Sequence, residues 1–324
     1  MRIGFYMKWD KGNSFRAGGN VIGDELYFEA IAKYLRRIPA IESAEVYAPN
    51  FLPKKKIDFM VHLNDTAPNG YADREVLYLQ NGYSEGNDRA LMRLSKNGYD
   101  GYILLSESML EVGHANGLEG VVVPFGADTD YCRPRPPDPS LAYDVAFVGN
   151  DIKGTERTER FLMPATRFNL GLFGNWALPP KKGMERIVPY LRDRKHPRYR
   201  IALSRISKGK IPYDLLPDLY SSAKINLNFT LQDSVNWDLL TNRPFEVLAC
   251  GGFLISDEYP GLERTLHGGV VFTDGNEDQI EKIEYYLERP EERARIAKHG
   301  MENVRENHSL ISRSIAIHNY LGRI

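Results

Sequence analysis

The sequence predicts an α/β protein made of two doubly wound domains. Short β-like runs alternate with helical patterns along the chain, and the alternation resets once, near residue 140. A length of 324 residues suits two domains of ordinary size. In the first half the strand-like runs are Arg2–Met7, Ala44–Ala48, Asp58–Leu63, Val76–Leu79, Gly101–Leu105 and Gly120–Val123. The clearest helix between them spans Gly23–Arg37, where Leu26, Ala30, Ile31, Tyr34 and Leu35 fall on one face. A Pro-rich stretch, Arg133 to Pro137, and the turn residues Asp138, Pro139 and Ser140 mark the reset. A new strand, Asp144–Val148, then ends in Gly149 and Asn150. Further strands are expected near Phe168–Phe173, Ile225–Asn228, Gly252–Ser256 and Val270–Phe272. Helices are expected over Tyr213–Ser222, Arg243–Cys250, Gln279–Glu288, Pro290–Asn307 and Leu310–Leu321. Strands that alternate with helices form parallel sheets covered on both faces. The expected division is 1–140, 141–308, and a last helix, 309–324, that crosses back to the first domain.

Composition excludes several classes. The net charge of −1 provides no global field for nucleic acid. The basic clusters Lys54–Lys56, Lys181–Lys182 and Arg192–Arg200 read first as solvated faces, and second as anion-binding surface. No apolar run is long enough to span a bilayer, and the first residues read as a strand rather than a signal peptide. Two distant cysteines, Cys132 and Cys250, form neither a disulfide framework nor a metal cluster, so a reducing, cytoplasmic setting is expected. The seven histidines are scattered without ligand spacing, and no metal site is expected. Asp128-Thr-Asp130 has the spelling of a metal pair but lies in the loop leading to the second domain.

Ligands of open parallel sheets bind beyond the carboxyl ends of the strands, so the strand-to-helix loops are the segments to read for chemistry. After Gly149 and Asn150 come Lys153, Arg157 and Arg160 at an expected helix start, where free N–H groups and positive side chains favour an anion. A solvated face is the competing reading. Glu246 follows a loop between Phe245 and Val247, at the expected start of a helix. A carboxylate there can accept two bonds from a vicinal diol, or it can simply favour the helix dipole. Gly251 and Gly252 at the far end read as a C-cap.

The ordered series Ala223-Lys-Ile-Asn-Leu-Asn228, Asn242-Arg-Pro-Phe-Glu-Val-Leu-Ala-Cys-Gly-Gly-Phe253, Asp257-Glu-Tyr-Pro-Gly-Leu-Glu263 and Pro290-Glu-Glu-Arg-Ala-Arg-Ile-Ala297 closely resembles the group 1 (GT4-like) glycosyltransferases. Within them it is most similar to the CgeB-like spore-maturation branch. The resemblance covers about residues 144–313, with a weaker echo in Val122–Pro134. It implies the GT-B architecture: two Rossmann-like domains facing a cleft, with the acceptor on the first and a nucleotide-sugar donor on the second. It implies a metal-independent glycosyl transfer, and by extension retention of configuration.

Site roles follow from the same resemblance. Glu246 accepts from the donor ribose, and Asn242 and Arg243 of the same motif lie on the donor. Gly149, Asn150 and Lys153 belong to the phosphate loop, together with Arg157 or Arg160. Trp176, in Gly171-Leu-Phe-Gly-Asn-Trp176, either stacks near the base or sits in the core. Many relatives carry two glutamates with seven residues between them; here the position of the first is Asp238, a shorter acid, which either faces the transferred sugar or caps a turn, with Asp233, Asn236 and Trp237 of the same loop competing for the role. His62 either bonds the transferred sugar or is a satisfied core histidine. Gly18 and Gly19 in the first Gly-rich loop, with Gln80 and Asn81, lie on the acceptor side. The nucleotide-sugar is the implied substrate and no cofactor is needed. The acceptor stays open among glycan, protein, small molecule and modified nucleic acid. Two further functions stand beside transfer to a glycan: glycosylation of modified DNA bases, and nucleotide-sugar binding without catalysis.

Overall fold

The computed structural model describes residues 1–12, 23–81, 86–178 and 196–324. Most strands are short runs of β-branched, aromatic and aliphatic residues, and the central ones, such as Val76–Leu79 and Ile225–Asn228, are buried on both faces, as a parallel sheet between helices requires. The chain forms two packed units.

The first unit comprises Met1–Asp128, Asn236–Leu240 and Asn307–Ile324. Its elements are β1 Arg2–Tyr6, α1 Gly23–Leu35, β2 Ser43–Tyr47, β3 Ile57–Leu63, β4 Ala72–Leu79, α2 Asn87–Ser95, β5 Gly101–Leu104, α3 Glu107–Ala115 and β6 Gly120–Val122. The strands pair in the order β2-β1-β3-β4-β5-β6, parallel throughout. The core runs from Phe5 and Phe28, which stack at 4.9 Å, through Tyr78 to Met109. A last helix belongs here too, in chain order α12, Leu310–Leu321. Its Ile317, Tyr320 and Leu321 enter the core, and the Tyr320 hydroxyl accepts from Tyr102 N at 2.8 Å and donates to Glu119 O at 3.0 Å.

The second unit comprises Thr129–Val235 and Thr241–Glu306. Its elements are β7 Val145–Val148, α4 Thr155–Phe161, β8 Leu170–Phe173, α5 Arg198–Ile206, α6 Leu216–Ser222, β9 Ile225–Asn228, α7 Gln232–Asn236, α8 Asn242–Ala249, β10 Leu254–Asp257, α9 Pro260–Leu266, β11 Val271–Thr273, α10 Asn276–Leu287 and α11 Pro290–Asn307. Its strand order, β11-β10-β9-β7-β8, is also parallel throughout. Numbered from its own first strand, the second sheet runs 2-1-3-4-5 and the first extends the same plan by one strand, 2-1-3-4-5-6. That plan places the topological switch between the first and third strands.

The Pro-rich stretch groups with the second unit rather than closing the first. Arg135 N donates to Ser221 Oγ at 3.0 Å and Asp138 N to Ser222 Oγ at 2.8 Å, both at the end of α6. Asp128 takes a structural role in the first unit, accepting from Lys33 Nζ at 2.8–2.9 Å and from the Tyr34 hydroxyl. Among the described residues no helix is long and apolar enough to cross a membrane.

Candidate functional site

In the second unit the switch lies between β7 and β9, and polar residues collect at the carboxyl ends of β7, β9 and β10. Their backbone is shaped first. Gly174, after β8, has φ +132°, and a Cβ there would stand 2.0 Å from the Gly149 carbonyl oxygen, so only glycine fits. The Trp176 indole then donates from Nε1 to that same carbonyl at 2.7 Å. Trp176 is fully buried against Phe147 and props the loop after β7. Asn150 holds the same loop by accepting from Asn175 N at 2.9 Å through Oδ1.

Phe147 of β7, Phe229 after β9 and Phe161 of α4 form a stacked row, with centroids 5.0 and 5.9 Å apart. A cation rests on each ring. Arg243 lies 5.5 Å from the centre of Phe147, Lys153 Nζ 5.2 Å from Phe229, and Arg157 5.0 Å from Phe161. Attraction to the ring faces directs the cations. The apolar floor also deprives them of water, and burial pulls the Lys153 ammonium down to about 7, with Arg243 adding to the effect and Asp257 opposing it.

A hydrogen-bonded chain fixes the two guanidinium groups. Arg243 Nη1 donates to Asn228 Oδ1 at 3.3 Å, Asn228 Nδ2 donates to Ser256 Oγ at 2.9 Å, and Ser256 Oγ donates to Asp257 Oδ1 at 3.1 Å. Asp257, itself buried, accepts from Arg157 Nη2 and from Thr230 N, the latter at 2.9 Å. Arg157 Nη1 also donates to Gln232 Oε1 at 3.0 Å. Arg157 thus pairs directly with the buried Asp257, and Arg243 reaches it through Asn228 and Ser256. Arg157 Nε, Arg243 Nε and Asn242 Oδ1 are buried without a hydrogen-bond partner.

The expected helix start after Gly149 is short: α4 begins at Thr155, so Lys153 precedes it and the positive character comes from side chains. Both arginines of α4 lie over Phe161, Arg157 at 5.0 Å and Arg160 at 5.2 Å. They differ in their hydrogen bonds: Arg157 pairs with Asp257 and Gln232, whereas Arg160 Nε donates to the Asp274 carbonyl at 2.5 Å, just after β11.

Glu246 is the fifth residue of α8, not a first-turn residue, because the helix already begins at Asn242 and carries Pro244 in its first turn. The dipole reading therefore does not apply to it. Burial pushes its carboxyl up to about 7, with Arg243 pulling the other way. Gly251, with φ +72°, caps α8 as its glycine implies.

The remaining residues lie apart. His62 is fully buried on β3, paired through Nε2 with Glu75 of β4 and flanked by Tyr6 and Tyr99, while its Nδ1 has no partner. It is a core histidine with no surface open to a sugar. Asp238 has φ +57° and groups with the first unit. Gln80 donates its backbone N–H to Asn64 Oδ1 at 2.7 Å, next to Asn81. Gly18 and Gly19 lie outside the described residues. Sequence reading assigned no role to Asn228, Ser256, Asp257 or the phenyl row. The available signal was polar residues at the ends of otherwise apolar strands.

Two parallel sheets of this plan define the GT-B glycosyltransferase fold. Sucrose-phosphate synthase from Thermosynechococcus elongatus superposes with a TM-score of 0.64 at 12% identity, covering 99% of this chain and 98% of that one. Anabaena HepE in complex with UDP-glucose gives 0.64 at 14%, covering both chains completely. T4 phage BGT in complex with its UDP-glucose substrate gives 0.65 at 13%, covering 99% of each. No functionally curated protein matches by sequence. A family model described as glycosyl transferase-like matches residues 157–319, and the chain belongs to that family. It is a glycosyltransferase.

Proposed function

We propose that the second unit binds a UDP-sugar at its switch point and that the protein transfers the glycosyl group to an acceptor without a metal ion. The observation that carries this reading is the row of Arg243, Lys153 and Arg157 over Phe147, Phe229 and Phe161, three cations beside the buried carboxyls of Asp257 and Glu246, of which burial pushes Glu246 toward its neutral form. A nucleoside diphosphate supplies the missing negative charge and gains more as the glycosidic bond breaks. Fixed cations on a desolvated floor then stabilise the leaving group more than the bound substrate. The same cations take the part that a divalent ion plays elsewhere.

Glu246 accepts the ribose hydroxyls, oriented by Asn242. Uridine is the first base to test because HepE and T4 phage BGT are seen with UDP-glucose. The order of motifs over residues 144–313 supports a place in the CgeB-like branch.

Thermal-shift titration with the four common nucleoside diphosphates, followed by mass spectrometry of reactions with the matching sugars, tests the reading. A ligand at 100 times its Kd adds about 2.7 kcal/mol of stability, so UDP raises Tm by several degrees. No shift with any diphosphate, or shift without transfer to any acceptor, contradicts it.

A further inference from the structure

The loop between β7 and α4 carries Lys153 to the Phe229 ring, and it is tied down at three successive residues. The Gly149 carbonyl accepts from the Trp176 indole at 2.7 Å, and Asn150 Oδ1 accepts from Asn175 N at 2.9 Å. Asp151 reaches α5 instead: its Oδ2 pairs with Arg200 at 3.0 Å, and its Oδ1 accepts from the Tyr199 hydroxyl at 3.2 Å. We propose that Asp151 is a positioning residue, whose attachment to α5 holds the loop so that Lys153 stays on the Phe229 ring. The inference rests on the transferase reading above only in assigning Lys153 to the donor.

A carboxylate beside an anion subsite would repel the ligand, yet the Asp151 side chain is only 7% exposed and turns toward α5, where Arg200 meets its charge. Tyr199 is a fixed post, buried in the core of the second unit. Its hydroxyl also has Thr155, the first residue of α4, as a side-chain partner. Tyr199 therefore touches the chain on both sides of Lys153. Between Asp151 and Lys153 the chain turns sharply, with Ile152 N donating to Asn150 O at 2.9 Å, and the Ile152 side chain stands 65% exposed. The tip buries little apolar surface of its own, so its polar anchors decide where it lies. Attraction to a ring face does not suffice to hold Lys153, because it is comparable to the rotamer freedom that a lysine gives up. The charged groups that bear on the Lys153 ammonium are Arg243, Asp257 and Arg157, so Asp151 acts on it through the backbone rather than by charge.

Competitive labelling of the ligand-free protein with trace acetic anhydride across pH, read at Lys153 by peptide mass spectrometry, tests the anchor. In wild type the Lys153 profile has its midpoint near 7, where burial places it. Asp151→Ala raises that midpoint by about one pH unit or more, toward the ordinary 10.5, because the released ammonium leaves the apolar floor. Asp151→Asn still accepts from Tyr199 and gives a smaller rise. Tyr199→Phe keeps its ring in the core, so it folds, and it also gives a smaller rise. A merely structural aspartate moves Tm and leaves the Lys153 profile in place. UDP affinity at pH 7 falls about tenfold in Asp151→Ala, the loss expected when one charged contact goes. A wild-type midpoint near 10.5, or a midpoint that stays put in both Asp151→Ala and Tyr199→Phe, overturns the proposal. Because labelling is done without nucleotide, a raised midpoint with unchanged UDP affinity upholds the anchor and contradicts the assignment of Lys153 to the donor.

Discussion

Within α8, Nδ2 of Asn242 donates to Oε1 of Glu246 at 2.6 Å, one helical turn further along. This contact holds the carboxylate in one direction while burial pushes its protonation up to about 7 from the ordinary 4.5. In the proposed site the ribose hydroxyls take the second oxygen. Glu246→Gln keeps the bond from Asn242 but presents an amide where an acceptor is needed. A hydrogen bond to a charged group contributes about 1.5–3 kcal/mol, so UDP affinity falls roughly tenfold to a hundredfold. Calorimetric titration checks this.

The same substitution reports on stability. An acid whose folded pKa lies above its unfolded value supports the fold fully below about 4.5 and loses that support as pH rises through about 7. Glu246→Gln removes the loss. Its Tm gain over wild type is therefore absent near pH 4 and present at pH 8. Lys153→Met behaves oppositely: the depressed ammonium costs stability as pH falls from 10.5 through about 7. Its gain is largest at and below neutrality. Differential scanning across pH separates the two.

UDP binding exchanges protons, with a sign that reverses near pH 7. Above it, Lys153 is largely neutral in the free protein and takes up a proton when the diphosphate arrives. Below it, Glu246 releases one to accept the ribose hydroxyls. Affinity is greatest near neutrality and falls on the alkaline side by up to about tenfold per pH unit. Calorimetry in two buffers of different ionisation enthalpy measures the exchange. Lys153→Met abolishes the alkaline uptake, and Glu246→Gln the acid release.

The two arginines of α4 are expected to part company. Arg157 and Asp257 form a buried pair, and removal of one partner from such a pair costs about 3–5 kcal/mol. Arg157→Ala lowers both Tm and turnover, and adding Asp257→Asn restores Tm without restoring turnover. Loss of a transition-state stabiliser of this kind slows reaction about 10²–10³-fold. Arg160→Ala leaves turnover within a few-fold of wild type. Normal turnover in Arg157→Ala and in the double arginine variant removes Arg157 from the phosphate site.

Much of this architecture is legible in the sequence because parallel strands are continuous apolar runs. Val145–Val148 and Ile225–Asn228 are placed by that feature, and Gly149 marks the loop after the first of them. Helix starts were harder. α8 opens at Asn242, and Pro244 was the clue that the helix was already under way, which moves Glu246 out of the first turn. α5, Arg198–Ile206, hid behind its arginines, since a basic run with only Tyr199 and Leu203 buried resembles a solvated loop. Side-chain direction was illegible. Nothing local to Trp176 says that its indole meets the Gly149 carbonyl, and nothing local to His62 says that Glu75 of the next strand takes its ring nitrogen. These are contacts between strands that only the register brings together.

The most direct test of the account is calorimetric titration of UDP, with uridine as control, into wild type and the Lys153→Met/Arg243→Gln double variant at pH 7. If the cation row holds the diphosphate, wild type binds UDP far more tightly than uridine. The variant then loses at least a hundredfold for UDP and little for uridine, with Tm unchanged or higher. Equal UDP affinity in the two proteins places the diphosphate elsewhere and contradicts the account.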